Sequence, residues 1–405
     1  MSNDLLNKFI NEINEELTAN ILPFWMNKMV DNERGGFYGQ ITGNDELKAD
    51  ASKGAILNAR ILWTFSAAYR ITQNSEYLKI ASRAKEYFVN NFIDDEFGGV
   101  YWSLDYNGKP LDTKKQIYAI GFAIYGLSEY FRATSDQEAL ESAKKLFYDI
   151  ESHAFDTEYG GYFEALSCEW LEIGDMRLSE KDANERKTMN THLHILEPYT
   201  NLFRIWKNPL LKTQIEGLLT IFTDRILDKK TGHLQLFFTD DWQVRGDITS
   251  YGHDIEASWL MYEAALELEN EELLLQIKPI VQKIAEAAAQ GLQEDGSFIY
   301  EKNNSTGHTD LDRHWWVQAE AVVGYFNLFQ RFGDTNALQK AQNCFLYIQQ
   351  NVIDTLEGEW FWSIDSNGSI NRKDDKAGFW KCPYHNARMC LELMERVLHK
   401  GEISL

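Results

Sequence analysis

The segment 189–199 places groups capable of acid–base chemistry at the start of a predicted helix. It contains His192 and His194, and either Asn190 or Thr191 can cap the first turn through its side-chain oxygen. The positive end of a helix dipole disfavours the protonated imidazole, so histidines placed here stay neutral more readily. A neutral imidazole can accept a proton near pH 7. Taken alone, the segment fits a catalytic site and two ordinary buried histidines equally well.

A metal site is a rival interpretation of the same histidines. His192 and His194 are two residues apart, which on a helix points them about 200° from each other. Zinc-binding helices use histidines four residues apart, and no H-E-x-x-H motif is present. We therefore expect one histidine, His194, to face a cavity and the other to pack inside the protein. A histidine trio could still hold zinc. Pro198 predicts a kink or an early end to this helix.

The composition excludes several classes of partner. The formal net charge of −22 opposes binding to nucleic acid or to an anionic membrane, and favours a neutral or cationic small molecule. No apolar run approaches the length of about 18 residues that a membrane span needs. The first 17 residues lack the features of a signal peptide, and the four cysteines form no C-x-x-C pair. We expect a cytoplasmic monomer.

A repeated unit organises the chain. A glycine followed by alternating aromatic or apolar residues occurs six times, at intervals of 62 to 71 residues. A fixed interval of this size indicates a repeated structural unit. Several copies continue into Asn-Gly or Asp-Asp turns, which predict short β-hairpins. The six glycines are Gly36, Gly99, Gly161, Gly232, Gly296 and Gly358.

Two helices are predicted between successive hairpins. The first of each pair is apolar nearly all round, as in 116–131 and 315–329, which is typical of a buried helix. The second has a polar face, as in 137–152 and 335–350. The ends of the chain supply one helix each, at 5–30 and 376–398, and together make a sixth pair. We therefore expect a closed (α/α)6 barrel in one domain spanning residues 1–405, with an open solenoid as the alternative.

In such a ring the starts of the six inner helices converge on one cavity. Five of the nine histidines fall at the starts of four inner helices, and five ordinary core histidines at equivalent places would be an unusual coincidence. Tryptophans near the same ends offer flat faces that suit the C–H face of a sugar, and nearby carboxylates suit its hydroxyls. The histidines are His192, His194, His253, His314 and His385. The tryptophans are Trp315, Trp316 and Trp380, and the carboxylates are Asp182, Glu256, Asp312 and Glu320.

Segments from the first inner helix to the last resemble the N-acylglucosamine 2-epimerase family, in particular its members that act on disaccharides. The resemblance covers almost the whole chain and is specific as a set. The matching segments are Asn58-Ala59-Arg60, Lys187-Thr188-Met189-Asn190-Thr191-His192-Leu193-His194, Tyr251-Gly252-His253-Asp254-Ile255-Glu256, Trp315-Trp316-Val317-Gln318-Ala319-Glu320 and Trp380-Lys381-Cys382-Pro383-Tyr384-His385-Asn386.

The resemblance implies an (α/α)6 barrel, no cofactor or metal, and conversion of the reducing-end glucose of a β-1,4-linked disaccharide to mannose. It implies that His253 and His385 are the acid and base groups, and that Arg60 and His194 hold the substrate oxygens near the reacting carbons. The implied substrate-binding residues are Tyr118, Ser179, Asp182, Asn190, Glu256, Trp316 and Trp380.

The chemistry of such a reaction agrees with these assignments. Inverting C2 of an aldose requires removal of the C2 proton and its return on the opposite face. Two histidines can do this because their ordinary pKa is near 6.5, and the cation of Arg60 can stabilise the enediolate. An aldose–ketose isomerase and a monosaccharide 2-epimerase remain alternatives. A glycoside hydrolase, which needs a pair of carboxylates, and a non-catalytic sugar-binding toroid are further ones.

Overall fold

Inner and outer helices alternate along the chain in the computed structural model, which describes residues 3–398. The first outer helix consists of α1 (Asn3–Glu15), a π-helical stretch (Glu16–Ile21) and α2 (Leu22–Lys28). The inner helices are α3 (Ala55–Thr72), α5 (Ile117–Thr134), α7 (Met189–Ile205), α9 (Tyr251–Glu267), α11 (Trp315–Phe332) and α13 (His385–Leu398). The other outer helices are α4 (Ser75–Asn91), α6 (Gln137–His153), α8 (Pro209–Ile221), α10 (Glu271–Ala288) and α12 (Thr335–Tyr347).

The inner helices form a closed ring. Each packs against the next in chain order, and α13 packs back against α3. The first outer helix packs against α13 and bonds to the last glycine turn through Trp25, whose Nε1 donates to Glu359 Oε2 at 2.6 Å. The (α/α)6 barrel is therefore confirmed, and the open solenoid is wrong. No helix within residues 3–398 is long and apolar enough to cross a membrane.

Burial explains why the two sets of helices differ in sequence. Side chains of α5 are buried from Ile117 to Tyr130, whereas α6 buries one face only. Outer helices start at the surface and need a side chain to satisfy their first N–H groups. Five of them have an Asn or Asp cap that accepts from a first-turn N–H: Asn74, Asp136, Asn208, Asn270 and Asp334.

Short antiparallel strands link neighbouring repeats. The strand before each of five inner helices pairs with a strand that follows the next outer helix, giving the pairs β3–β4, β6–β7, β8–β9, β11–β12 and β14–β15. A bridge between Ile41 and Ala377 takes the sixth place and closes the ring. The strands are β1 (Gln40–Ile41), β2 (Leu47–Lys48), β3 (Lys53–Gly54), β4 (Ser103–Leu104), β5 (Pro110–Asp112), β6 (Lys115–Gln116), β7 (Ala165–Leu166), β8 (Lys187–Thr188), β9 (Phe237–Phe238), β10 (Val244–Arg245), β11 (Ile248–Ser250), β12 (Glu301–Asn303), β13 (Thr309–Asp310), β14 (Arg313–His314) and β15 (Ser363–Ile364).

The six predicted glycine turns are present, each closed by one antiparallel bridge. The bridges are Val30–Phe37, Ile93–Val100, Phe155–Tyr162, Leu227–Leu234, Leu292–Phe298 and Ile353–Trp360. Gly161 shows why a glycine is needed: its φ is +83°, and a Cβ there would lie 2.5 Å from Trp242 and 2.7 Å from His192.

Buried lysines lock these turns to the inner helices. Lys53, Lys115 and Lys187 each lie two residues before an inner helix and donate to the aspartate that opens a turn. The Nζ–Oδ2 distances are 2.9, 2.5 and 2.6 Å, to Asp31, Asp94 and Asp156. A buried charge is tolerated only when it is paired and hydrogen-bonded, so these pairs hold the helix starts in place.

The early end considered for the helix at Pro198 is wrong, and so is the expected start of the sixth inner helix. Helix α7 runs through Pro198 to Ile205, because tertiary packing holds the continued helix: Pro198 is buried and lies against Gly121 of the neighbouring α5. The sixth inner helix begins at His385 and not near Lys376. Pro383 contributes to this late start, since a proline disfavours helical geometry at the residue before it.

Candidate active site

A cavity of about 430 Å³ opens at the starts of the inner helices. All eleven residues predicted for the site line it: Arg60, Tyr118, Ser179, Asp182, Asn190, His194, His253, Glu256, Trp316, Trp380 and His385. A cavity of about 600 Å³ lies among residues near the opposite ends of the helices, where arginines and glutamates such as Arg204 and Glu263 pair with each other. The histidines make the first cavity the candidate active site.

His253 is held from behind by a hydroxyl. Its Nδ1 lies 2.8 Å from Ser250 Oγ, and its ring centroid lies 4.8 Å from that of Trp316. This leaves Nε2 as the ring nitrogen available to a ligand. Burial, together with repulsion from His194, lowers the pKa of His253 to about 3, so its imidazole is neutral at pH 7.

His385 is held from behind by a carboxylate. Its Nδ1 lies 2.7 Å from Glu320 Oε1 and 3.9 Å from Glu256 Oε1. Burial and the positive charges of Arg60 and Arg388 keep the pKa of His385 well below its usual value. The two histidines thus present Nε2 to one cavity from α9 and α13, which are separated in the ring by α11.

His194 and His192 have the different environments expected of them. His194 lines the cavity, with Nδ1 3.1 Å from Glu197 Oε2 and Nε2 4.0 Å from Glu256 Oε2. His192 points away and accepts a bond from the backbone N–H of Tyr162 at 3.0 Å. The inward orientation predicted for His194 is confirmed.

His192 has a structural role that neighbouring repeats fill with other residue types. It is the fourth residue of α7, and Asp254 and Gln318 are the fourth residues of α9 and α11. Each of the three accepts from the backbone N–H at the bridge closing the preceding turn, at Tyr162, Leu234 and Phe298 respectively. Since an aspartate and a glutamine do the same work, this position needs an acceptor and not an imidazole.

Arg388 joins the three carboxylates that surround the histidines. Its Nη2 donates to Glu256 Oε1 at 2.5 Å and to Glu320 Oε1 at 2.6 Å, and its Nη1 contacts Glu197. All four side chains are buried. Burial raises the pKa of both Glu256 and Glu320, with Arg388 opposing. At Glu197 burial is outweighed by the charge of Arg388 together with the contacts to His194 and Tyr384, which lower the pKa to about 2.

Arg60, on the neighbouring helix α3, supplies a second cation. Its Nη2 donates to Tyr118 Oη at 2.8 Å, and its guanidinium lies 4.1 Å from the ring centre of Phe122. Within residues 3–398, Arg60 Nε, Asn190 Oδ1 and Glu256 Oε2 are buried polar atoms without a hydrogen-bond partner. Such atoms are costly unless a ligand or water satisfies them, so they mark positions for polar groups of a substrate.

A loop over the cavity carries Ser179 and Asp182. The backbone N and the Oγ of Ser179 both donate to Asp182 Oδ2 at 2.9 Å. The loop is tied down by Gln116, whose Nε2 donates to the carbonyl of Met176 at 3.0 Å. Aromatic rings form the rest of the mouth: His314 stacks on Tyr300 at 4.0 Å, and Trp362 also lines the cavity.

Two of the predicted carboxylates do not face the cavity. Asp312 lies outside the lining, and Glu320 lies behind His385, where it also accepts from Trp259 Nε1 at 3.1 Å. Glu256, Glu320 and His385 are the one set of three or more His, Cys, Asp or Glu residues within 3–398 whose ligand-type atoms all lie within 4.8 Å of each other. Arg388 donates to both of these carboxylates and already supplies their positive charge.

The sequence interpretation missed Arg388, Glu197 and Ser250. A signal was present for each, because residues three apart on a helix lie on the same face, and a residue at an N-cap lies close to the third residue of its helix. Glu197 follows His194 by three residues and Arg388 follows His385 by three, while Ser250 precedes His253 by three.

Known proteins match this chain over almost its whole length. The family profile described as N-acylglucosamine 2-epimerase matches residues 36–388. A Bacteroides fragilis protein named cellobiose 2-epimerase is 64% identical over 383 residues, covering 95% of this chain and 98% of its own. A Ruminococcus albus protein of the same name is 43% identical, covering 96% and 98%. The solved cellobiose 2-epimerase of Bacillus thermoamylovorans superposes with a TM-score of 0.93 at 42% identity, covering 96% and 100%.

Proposed function

The chain belongs to the N-acylglucosamine 2-epimerase family, and we propose that it interconverts glucose and mannose at the reducing end of β-1,4-linked disaccharides such as cellobiose. The observation that carries this proposal is the pair His253 and His385. They present Nε2 to one cavity from two different inner helices, and each has its Nδ1 occupied from behind.

The first step is removal of the C2 proton from the open-chain aldose. The Nε2 of one histidine takes the proton, the C–H electron pair forms a C1–C2 double bond, and the carbonyl oxygen becomes an oxyanion. Arg60 and His194 stabilise the oxygens of this enediolate, because they are held in the wall with little freedom to reorganise. The Nε2–H of the other histidine then returns a proton to the opposite face of C2.

The second histidine must carry a proton that it can deliver to C2. The carboxyl groups behind His385 can supply this proton. Burial raises the pKa of Glu320 and of Glu256, which favours a proton held within this group. Glu320 Oε1 is 2.7 Å from Nδ1, so a proton can pass to Nδ1 while Nε2–H is delivered to carbon. The reverse transfer lets the same pair act as a base.

The aromatic mouth supports a second sugar ring. Trp316 and Trp380 line the cavity together with Tyr300 and Trp362. Sugar rings stack their C–H faces on such rings while hydroxyls reach Asn190 or the loop. We propose that a disaccharide is the substrate, and that cellobiose, lactose or a related β-1,4 disaccharide fits this role.

We also propose that the whole chain forms one catalytic domain. It acts as a cytoplasmic monomer and needs no metal or cofactor. The four cysteines support a reducing compartment, because none forms a disulfide within residues 3–398. Activity that falls on chelation and returns with a divalent ion would contradict the metal-free mechanism.

Incubation of the purified protein with cellobiose, followed by separation of the products, tests the function. We expect glucosyl-mannose. Glucosyl-fructose as the main product would indicate an aldose–ketose isomerase, and free glucose would indicate a hydrolase. Conversion of mannose or glucose with a higher kcat/KM than cellobiose would indicate a monosaccharide enzyme.

A further inference from the structure

Ser250 and Thr188 occupy the same place in consecutive repeats, immediately before an inner helix. Thr188 caps α7 in the usual way: its Oγ1 accepts from the backbone N–H of Thr191 at 3.1 Å. Ser250 is the corresponding residue of α9, yet within the described chain its side chain makes no capping bond. Its Oγ lies instead 2.8 Å from Nδ1 of His253.

Serine at an N-cap normally stabilises its helix by accepting from the third N–H. Here the third residue is His253 itself, and the hydroxyl contacts its ring in place of its backbone. Within residues 3–398, Ser250 therefore makes no helix-stabilising capping bond and contacts instead a side chain that faces the cavity. This is the pattern expected of a residue retained for function.

The hydroxyl is itself held in place. Ser250 is buried, and its backbone pairs with Glu301 in the antiparallel ladder of β11 and β12. On the cavity side the imidazole lies against the indole of Trp316, at 4.8 Å between ring centres. The ring of His253 is therefore held between a fixed hydroxyl and a fixed aromatic face.

We propose that Ser250 is a positioning residue that holds the Nε2 atom of His253 toward C2 of the sugar, an inference that rests on the epimerase function proposed above. In this orientation Nδ1–H donates to Ser250 Oγ both when Nε2 is free to take a proton and when it carries one. A neutral partner also distinguishes His253 from His385, whose Nδ1 contacts the carboxyl of Glu320.

The test compares Ser250→Ala and Ser250→Thr with Asn270→Ala. Asn270 is a matched control because it caps the outer helix α10, accepting from Leu273 N at 3.2 Å. We expect Ser250→Ala to lower kcat for cellobiose by about 10-fold or more, with KM within about twofold. The loss should be smaller than that of removing an acid–base group, which typically costs at least about 10²-fold. Its unfolding midpoint should stay near that of the wild type, because no capping bond is lost. Ser250→Thr keeps the hydroxyl and should restore most of kcat.

Asn270→Ala should show the opposite pattern, with a lower unfolding midpoint and an unchanged kcat. A wild-type kcat in Ser250→Ala would overturn the inference. So would a loss of kcat that Ser250→Thr does not rescue and that accompanies a lower unfolding midpoint, since this would indicate a structural cap.

A measurement without turnover separates this inference from the function it rests on. In protein labelled with ¹⁵N-histidine, Ser250→Ala should shift the Nδ1 resonance of His253, assigned by its loss in His253→Gln, and leave that of His194 in place. An unmoved His253 resonance would overturn the inference. The expected shift in Ser250→Ala, together with a wild-type protein that does not epimerise cellobiose, would contradict the proposed function and not the contact.

Discussion

Arg388 lies one helical turn after His385 on α13, and both contact the same oxygen atom. Arg388 Nη2 and His385 Nδ1 are 2.6 and 2.7 Å from Glu320 Oε1. Because Arg388 also contacts Glu197 and Glu256, the carboxyl groups that position both His385 and His194 share one guanidinium. The arginine therefore belongs to the support of the site as well as to the core of the barrel.

Replacing Arg388 should damage stability and activity together. In Arg388→Met the carboxylates of Glu197, Glu256 and Glu320 stay buried without their cation, and breaking a buried ion pair typically costs about 3 to 5 kcal/mol. Urea unfolding measures the loss. Arg331→Met is the control, since Arg331 is exposed. A free energy of unfolding within about 1 kcal/mol of the wild type would contradict this account.

The two histidines of α7 should differ in what their substitution does. His192→Gln keeps an acceptor for the N–H of Tyr162, as Gln318 does in another repeat, so kcat should stay near that of the wild type. His194→Gln removes the imidazole that contacts Glu197 and lines the cavity, and kcat should fall by at least about 10-fold. Steady-state rates with cellobiose decide this, and equal losses would contradict the separate roles.

The closed ring and its cavity were predictable because both depend on local pattern. The interval between Gly99 and Gly161 sets the length of a repeat, and apolar runs such as α5 show which helices are buried. The starts of buried helices in a ring must meet, so His253 and His385 could be placed together without any long-range contact being known.

The support of the site could not be predicted in the same way. Arg388 meets Glu256 across 132 residues and Glu320 across 68, and no local pattern determines which carboxylates share one guanidinium. The start of α13 at His385 depends likewise on tertiary contacts. Lys381 is fixed to Glu359 at 2.6 Å, which holds the preceding segment outside the helix.

Glu164 should make stability depend on pH. Its Oε1 accepts from Thr188 Oγ1 at 2.6 Å, and burial raises the pKa of its carboxyl to about 8. The folded state binds this proton more tightly than the unfolded state. Glu164 therefore stabilises the fold fully at pH values below about 4.5, and this stability is lost as the pH rises to about 8.

Glu164→Gln removes this titration. The stability of the variant relative to the wild type should rise by about 1.4 kcal/mol for each pH unit between these two values. Glu129→Gln gives a contrast, because burial at Glu129 is outweighed by Arg132 and Arg70, which lower its pKa. The stability of Glu129→Gln relative to the wild type should therefore fall as the pH rises above the pKa of Glu129 in the folded protein. Unfolding curves at several pH values check both, and parallel curves for wild type and Glu164→Gln would contradict the prediction.

The aromatic mouth should determine substrate length. Trp380→Ala removes an indole that lines the cavity and lies 5.9 Å from the ring centre of Trp102. We expect KM for cellobiose to rise by about 10-fold, equivalent to about 1.4 kcal/mol of lost stacking. Phe97→Ala, at an exposed position, is the control. An unchanged KM would remove Trp380 from the sugar site.

The two-histidine account requires both side chains. His253→Ala and His385→Ala should each fold normally, as judged by circular dichroism and unfolding, and lose epimerisation by at least about 10²-fold, at the low end of acid–base effects. Each variant leaves one base in the cavity, which can remove or return a proton at one face of C2 only. A near-wild-type rate in either variant would remove that histidine from the mechanism.

Epimerisation of cellobiose in D₂O tests the central claim most directly, with the position of the label read by NMR or mass spectrometry. Protons on His253, His385 and Glu320 exchange with solvent, so a proton returned to C2 by the second histidine is a deuteron. The account predicts an epimer carrying one deuterium at C2 of the reducing-end sugar. An epimer with no deuterium at C2 would contradict it, because the proton would then have been transferred directly or the chemistry would lie at another carbon.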